Sequence, residues 1–299
     1  MNRYKAFGLV IESEIVFHEL IPYDGEKSDI IIINGKVPEA LEDIVVEASN
    51  IKICKDKYWL DIENVARYYV EKGELIIMEP YKNACFEEIK LYVLGSCIGA
   101  ALYQRRMLPL HGSFINVEGK GLLLTGESGV GKSTIAAVML KKGFKMLTDD
   151  VAAVVLHGLK GPTVYPGYPS QKLWEDAIER IGIVEEKKVL NRVNKDLNKY
   201  SVMRDKYFDN NPIPIKVIIE ITSAIGENIK IEEITGAGKL EVVLKNTYRK
   251  ILIEAMDLRE WYFNQCVNIS EKIVVYRVTR PLNKHLENEI ASLIMEKIV

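Results

Sequence analysis

Eight consecutive residues carry the strongest chemical signal in the chain. Gly126-Glu127-Ser128-Gly129-Val130-Gly131-Lys132-Ser133 fits the pattern G-x-x-x-x-G-K-[ST] at every position, and Thr134 follows. Glycines at those spacings let the backbone curl so that several N–H groups point inward at phosphate oxygens. A helix starting there adds its positive N-terminal end. Lys132 is placed to reach the outer two phosphates of a nucleotide, and the Ser133 hydroxyl to ligate Mg²⁺. At average glycine usage such a match arises by chance on the order of one time in a hundred in a chain this long. A glycine-rich turn that binds nothing is the weaker reading.

Two carboxylates come next. Asp149 and Asp150 follow Lys132 by 17 and 18 positions. One helix and one short strand fill that gap, so the acids emerge beside the loop. Neighbouring residues of an extended strand point to opposite sides, which predicts a division of labour. One acid holds the Mg²⁺ shell while the other faces an acceptor; a solvated acidic turn is the competing reading. His111 stands just before the strand that leads to the loop, and a lone histidine is more often structural than catalytic. His18, His157 and His285 have no partners in sequence and read as surface or core residues. Asn194-Lys195-Asp196-Leu197 lacks the Asp of N-K-x-D, which argues against a GTPase.

The elements that must position these groups are legible in outline. Short strands are predicted over 6–16, 29–33, 51–54, 66–70 and 75–78, separated by turn signals such as Asn34-Gly35 and Lys72-Gly73. From Cys85 to Arg105 apolar residues recur at helical spacing, with Glu87 and Glu88 in the first turn. Ser113 to Val117 and Gly121 to Thr125 read as strands around the turn Glu118-Gly119-Lys120. The glycine loop follows the second of them and opens a helix over 132–142 that Gly143 ends. Strands are expected over 144–148, 151–156, 216–221 and 272–278, and helices over 171–181 and 283–298.

Composition narrows the function classes. The chain has 299 residues, with 40 Lys+Arg against 42 Asp+Glu and a net charge of −2, so coating of nucleic acid by bulk charge is not expected. With 48% hydrophobic and 27% charged residues it is an ordinary globular chain rather than a disordered one. Cys54, Cys85, Cys97 and Cys266 show no C-x-x-C spacing, which fits reduced thiols in a cytoplasmic protein. No apolar stretch approaches the roughly 20 residues of a membrane span. Neither a nucleic acid nor a membrane partner is expected, and homo-oligomerisation is compatible with all of this.

Leu110-His111-Gly112, the loop, Gly143-Phe144-Lys145 and Asp149-Asp150-Val151 occur in an order and spacing that resemble the catalytic domain of the bacterial HPr kinase/phosphorylase family. The nucleotide fold of that family is related to that of phosphoenolpyruvate carboxykinase. The match covers about residues 108–156, with weaker similarity beyond. It implies an α/β fold: a P-loop kinase domain over 85–299 preceded by a β-rich portion over 1–84. It also implies roles. Lys132 and Ser133 would serve ATP and Mg²⁺, Asp149 would support the metal, and Asp150 would be the base that accepts a serine hydroxyl's proton. His111 would lie near the transferred phosphate. In phosphoryl transfer the protein mainly positions groups and neutralises charge, and a carboxylate suits a hydroxyl nucleophile.

Where the family carries a signature of the type E-x-R-G-x-G, the chain reads Pro162-Thr163-Val164-Tyr165-Pro166-Gly167-Tyr168-Pro169, without Glu or Arg. Neither the phosphorylase reaction nor HPr as acceptor is therefore carried over. The whole-chain layout looks like HPr kinase-related proteins of bacterial peptide-modification gene sets, some of which phosphorylate the C-terminal serine of a lasso-peptide precursor. Lys172, Lys199 and Arg204 are candidate phosphate-facing cations, and residues 185–206, with seven Lys/Arg against four Asp/Glu, read as a basic lid over ATP; an ordinary solvated helix face is the competing reading. The expected activity is an ATP- and Mg²⁺-dependent serine kinase acting on a peptide or small protein. Kinase action on free serine and a nucleotide-binding regulator without transfer activity are the alternatives.

Overall fold

The computed structural model describes residues 1–156, 161–183, 191–194, 197–282 and 284–298. The chain divides into two compact units. One comprises Met1–Pro109 with Tyr248–Phe263, the other Leu110–Thr247 with Asn264–Val299.

The first unit is built on nine strands: β1 (Asn2–Ala6), β2 (Leu9–Ser13), β3 (Ile21–Pro22), β4 (Ile30–Asn34), β5 (Val46–Ala48), β6 (Ile51–Ile53), β7 (Lys57–Ile62), β8 (Ala66–Glu71) and β9 (Leu75–Pro80). They form one sheet in the order β3-β1-β2-β4-β9-β8-β7-β6-β5. Burial alternates along β2, β4 and β9, with Leu9 and Ile11, Ile30 and Ile32, and Ile76 and Met78 turned inward, as a one-sided sheet requires; along β8 Tyr68, Tyr69 and Val70 are all buried. The single strand expected over 6–16 is instead a hairpin, because Phe7 and Gly8 both adopt positive φ (57° and 77°). That two-residue turn demands left-handed residues, and phenylalanine there gives no signal.

Helices α1 (Phe86–Tyr92) and α2 (Ile98–Gln104) follow, joined by a π-helical turn over Val93–Cys97. Tyr68 Oη donates to the Ile89 carbonyl at 3.2 Å, tying α1 to the sheet. This helical segment, expected with the second part of the chain, packs in the first. The returning stretch 248–263 joins it there: Tyr103 Oη donates to the Tyr248 carbonyl at 2.6 Å and Arg249 Nη2 to Ser96 Oγ at 2.7 Å.

The second unit opens with the end of β10 (Leu108–His111), then β11 (Ser113–Val117) and β12 (Lys120–Gly126). β11 and β12 pair antiparallel around Glu118 and Gly119, both at positive φ, which is the geometry tight hairpins favour. Helix α3 (Lys132–Lys141), β13 (Lys145–Thr148), β14 (Val151–Leu156), β15 (Pro162–Tyr165), β16 (Ser170–Trp174), α4 (Glu175–Ile181), β17 (Asn191–Asn194), β18 (Leu197–Met203), β19 (Ile213–Ala224), β20 (Lys230–Ile234), α5 (Ala237–Lys245), β21 (Val274–Pro281) and α8 (Glu287–Ile298) complete it; α6 (Ile251–Ala255) lies in the first unit, and α7 (Arg259–Lys272) carries residues of both.

The main sheet runs β10-β14-β15-β19-β12-β11-β13, with β21 on β19 and β20 on β21. At its centre β12, β19 and β21 are parallel. Leu122, Leu123 and Leu124 of β12 and Ile218, Ile219 and Ile221 of β19 are almost inaccessible to solvent, the continuous apolar run that two-sided burial produces. Helix α3 is buried along nearly its whole length. Past its end Gly143 takes φ +100°, and its N–H bonds to the Leu140 carbonyl at 2.9 Å, the glycine stop expected from the sequence.

Residues 170–174, expected to begin a helix over 171–181, form β16 instead. Its register on β18 sets Lys172 opposite Ser201, and the Lys172 N–H goes to Asp149 Oδ2 at 3.0 Å rather than into a helical turn. The helix starts only at Glu175.

Candidate functional site

The loop between β12 and α3 depends on three glycines in left-handed conformations: Gly126 (φ +133°), Gly129 (φ +86°) and Gly131 (φ +99°). A Cβ on Gly126 would lie 2.2 Å from the Ile221 carbonyl oxygen, so only glycine lets the loop leave the sheet at this point. Lys132 is buried, and its ammonium donates to the carbonyls of Gly126 (2.9 Å) and Glu127 (2.8 Å). Burial lowers its pKa, and the negative charges of Asp149 and Asp150 oppose that shift.

Asp149 and Asp150 do divide their contacts, though not by strand alternation. They sit in a bend between β13 and β14. The Val151 N–H reaches back to the Asp149 carbonyl at 3.0 Å across Asp150, whose φ is +76°. An i→i+2 hydrogen bond around a positive-φ residue is the rarer, strained γ-turn. For a non-glycine residue it costs about 1–3 kcal/mol that the surroundings must offset.

Buried Asp149 accepts from Ser113 Oγ, from Ser133 Oγ (3.1 Å) and from the Lys172 N–H (3.0 Å). Asp150 meets Lys172 Nζ at 2.8 Å and His111 Nδ1 at 3.4 Å. Burial by itself would raise the Asp150 pKa. The adjacent Lys172, with His111 and Lys199, outweighs it and holds the carboxyl well below the usual carboxylate range.

His111 Nδ1 lies 3.0 Å from the Asp150 carbonyl. A carbonyl only accepts, so Nδ1 carries the hydrogen and Nε2 the lone pair. Burial lowers the His111 pKa, with Lys132 acting in the same direction and Asp150 against it. The histidine is therefore neutral near pH 7. The sign of its effect on stability follows. As pH falls below about 6.5, the unfolded histidine takes up a proton that the folded one resists, so stability falls. His111→Asn is expected to flatten the loss of melting temperature between about pH 7 and pH 5; parallel curves for the two proteins would contradict the assignment.

These groups line one cavity of about 270 Å³, entirely within the second unit. His111, Ser128, Gly129, Gly131, Lys132, Ser133, Thr134, Asp149 and Asp150 all border it, as do Lys172 and Lys199. Gly126, Glu127 and Val130 belong to the same loop but are not among its lining residues. Lys172 neutralises Asp150 instead of standing ready for phosphate, and Lys199 Nζ lies 5.8 Å from the Trp174 ring centroid.

Arg204 is not a phosphate-facing cation. It is buried away from the cavity and donates to Gln171 Oε1 at 3.3 Å, while Gln171 Nε2 holds the Ser133 carbonyl at 3.0 Å. Of the basic lid expected over 185–206, residues 185–190, 195 and 196 lie outside the described residues, as does His157. His285, read as a surface or core residue, borders the cavity.

Sequence reasoning missed Ser113, Gln171, Arg180 and Arg280. Ser113 had a signal, since it stands two positions after His111 and so on the same side of an extended chain. The two arginines had none, lying 54 and 154 positions beyond Gly126.

A hydroxyl beside a buried carboxylate is a hard oxygen set that fits Mg²⁺, which binds through one or two protein oxygens plus substrate phosphates. Ser133 and Asp149 are the residues that would hold it. Among the described residues no group of three or more His, Cys, Asp or Glu gathers into a metal cage.

Residues 104–189 match the family model of the HPr Serine kinase C-terminal domain. An HPr kinase/phosphorylase of Nitrosomonas europaea is 31% identical over 156 residues, covering 50% of this chain and 43% of the relative. One from Clostridium botulinum (strain Eklund 17B / Type B) is 47% identical over 45 residues, 15% of each chain. The solved HPr(Ser) kinase/phosphatase from Coxiella burnetii is 13% identical, with a TM-score of 0.34 over 63% of this chain and 95% of that one. The chain thus spans less than half the length of these curated relatives. Through this segment it is related to the HPr kinase family.

Proposed function

We propose that this relative of the HPr kinases transfers the γ-phosphoryl group of ATP to a serine hydroxyl on a peptide or small protein. The observation that carries the reading is the convergence of three sets of groups on one cavity: the glycine loop with Lys132, the Ser133–Asp149 pair, and Asp150 with His111. Lys132 and the loop N–H groups would bind the phosphates. Ser133 and Asp149 would hold Mg²⁺, which supplies charge neutralisation when bound. Asp150, ionised at every working pH, would orient the acceptor hydroxyl and take its proton late, as the hydroxyl oxygen bonds to phosphorus and the bond to the ADP oxygen breaks. His111 would lie beside the transferred group.

The low pKa of Asp150 is compatible with this role. In a loose transition state the base is needed to aim the nucleophile more than to ionise it early. The finer reading, the C-terminal serine of a lasso-peptide precursor, rests on the resemblance of the chain's layout. Dependence on ATP goes with a cytoplasmic setting, and no helix among the described residues is long and apolar enough to cross a membrane. Mg²⁺-dependent ADP release is expected to rise with a serine-ending peptide and not with its alanine counterpart. A rise with free serine alone would favour a small-molecule kinase.

A further inference from the structure

Resting on the nucleotide-triphosphate reading above, we infer that Arg280 forms a second anion subsite, which delivers a permanent positive charge to the donor's polyphosphate chain alongside Lys132. β21 runs parallel to β19 and β19 parallel to β12, so the three strands end on one edge of the sheet. Ligands of such sheets bind beyond the carboxyl ends of the strands. Arg280 is the penultimate residue of β21, in register with Ser223 of β19. Its guanidinium lies against the phosphate loop: Nη1 donates to the Val130 carbonyl at 3.1 Å and would be 3.2 Å from a Cβ placed on Gly131. Nη2 donates to the Lys284 carbonyl at 2.6 Å.

Charge distinguishes Arg280 from its neighbours. Arg180, which borders the same cavity, is neutralised by Asp176 (2.5 Å) and Glu287 (3.1 Å). Arg277, three residues earlier on β21, pairs with Glu220 at 2.8 Å. Arg280 has two neutral carbonyls and no carboxylate partner among the described residues, and its buried Nε donates to nothing there. A guanidinium keeps its charge at any working pH and offers five N–H donors, of which these bonds use two. A half-buried cation without a counter-ion is unfavourable until an anion arrives. Two carbonyl bonds fix the plane of the fork, and the cavity it borders is the one into which the phosphate loop opens.

Calorimetric titration of the full chain with ATP, inorganic tripolyphosphate and AMP tests the assignment. Arg280→Gln is expected to weaken ATP and tripolyphosphate by about ten- to a hundredfold, the effect of losing charge-assisted hydrogen bonds. Arg280→Lys should recover part of that, and AMP affinity should change least. If Arg280→Gln binds tripolyphosphate as wild type does and only melts earlier, Arg280 is a strut for the loop and the inference fails alone. If the wild-type chain binds neither ATP nor tripolyphosphate, the nucleotide reading fails and takes the inference with it. Should the glutamine variant not fold, tripolyphosphate must still shield Arg280 of the wild-type chain from phenylglyoxal, read by peptide mass mapping. Unshielded modification would overturn the assignment.

Discussion

Asp150→Asn is expected to lower phosphoryl transfer by about 10²–10⁴-fold, the range for loss of a positioned general base, while ATP affinity stays close to wild type. The amide keeps the side chain's shape but cannot take the hydroxyl proton. Two features single out Asp150 over Asp149 for this role. It occupies the strained γ-turn, a kind of backbone that persists only where its surroundings enforce it. Its carboxylate also faces Lys172 and His111 rather than the Ser133 hydroxyl.

The substitution has a structural side effect that must be separated from the chemistry. Lys172 Nζ loses its carboxylate partner, so the variant should melt earlier. Because the folded Asp150 pKa lies below the unfolded value near 4, the stability it contributes is present above that value and lost as pH falls through the folded pKa. At neutral pH the wild-type chain therefore holds the whole contribution and the variant none. Single-turnover transfer and ATP titration, made below the melting range of both proteins, separate the two effects. Equal loss of binding and turnover would remove Asp150 from the role of base.

Lys132→Ala is expected to weaken ATP binding and turnover together, each by roughly a hundredfold, as for a charge-assisted contact in a desolvated site. The ammonium rests on the carbonyls of Gly126 and Glu127, so it spans the loop whose N–H groups would face the phosphates. Its depressed pKa reflects burial that two carboxylates only partly offset. Removing it leaves those two carbonyls without their ammonium donor and the acids without their nearest loop cation. Turnover unchanged from wild type would take the loop out of the mechanism.

Local patterns were legible in the sequence to the extent that local forces set them. The loop, its flanking strand and helix, and the glycine stop at Gly143 lie within 23 residues, each following from backbone conformation or burial period. That the two acids face different partners is also expected from the sequence, but by a different route. Strand alternation predicts it, whereas in the structure a positive-φ aspartate turns the chain. Such a turn depends on Thr148, Gly112 and His111 around it, none of which announces it.

Structure departs from sequence expectation where long-range pairing overrides local pattern. Residues 170–174 have no strong period of their own and became a strand because β18 and Asp149 satisfy their backbone. Arg280 reaches the loop from a strand 150 residues further on. The stretch 248–263 returns to the first unit through contacts with Tyr103 and Ser96 that sequence separation conceals.

Incubation of the full chain with γ-labelled ATP, Mg²⁺ and a serine-ending peptide tests the central claim most directly. Label is expected on the peptide as a serine phosphoester, lost when Mg²⁺ is chelated and lost again with Asp150→Asn. Bound ATP with no label on the peptide, on other serine-containing proteins or on free serine would contradict it.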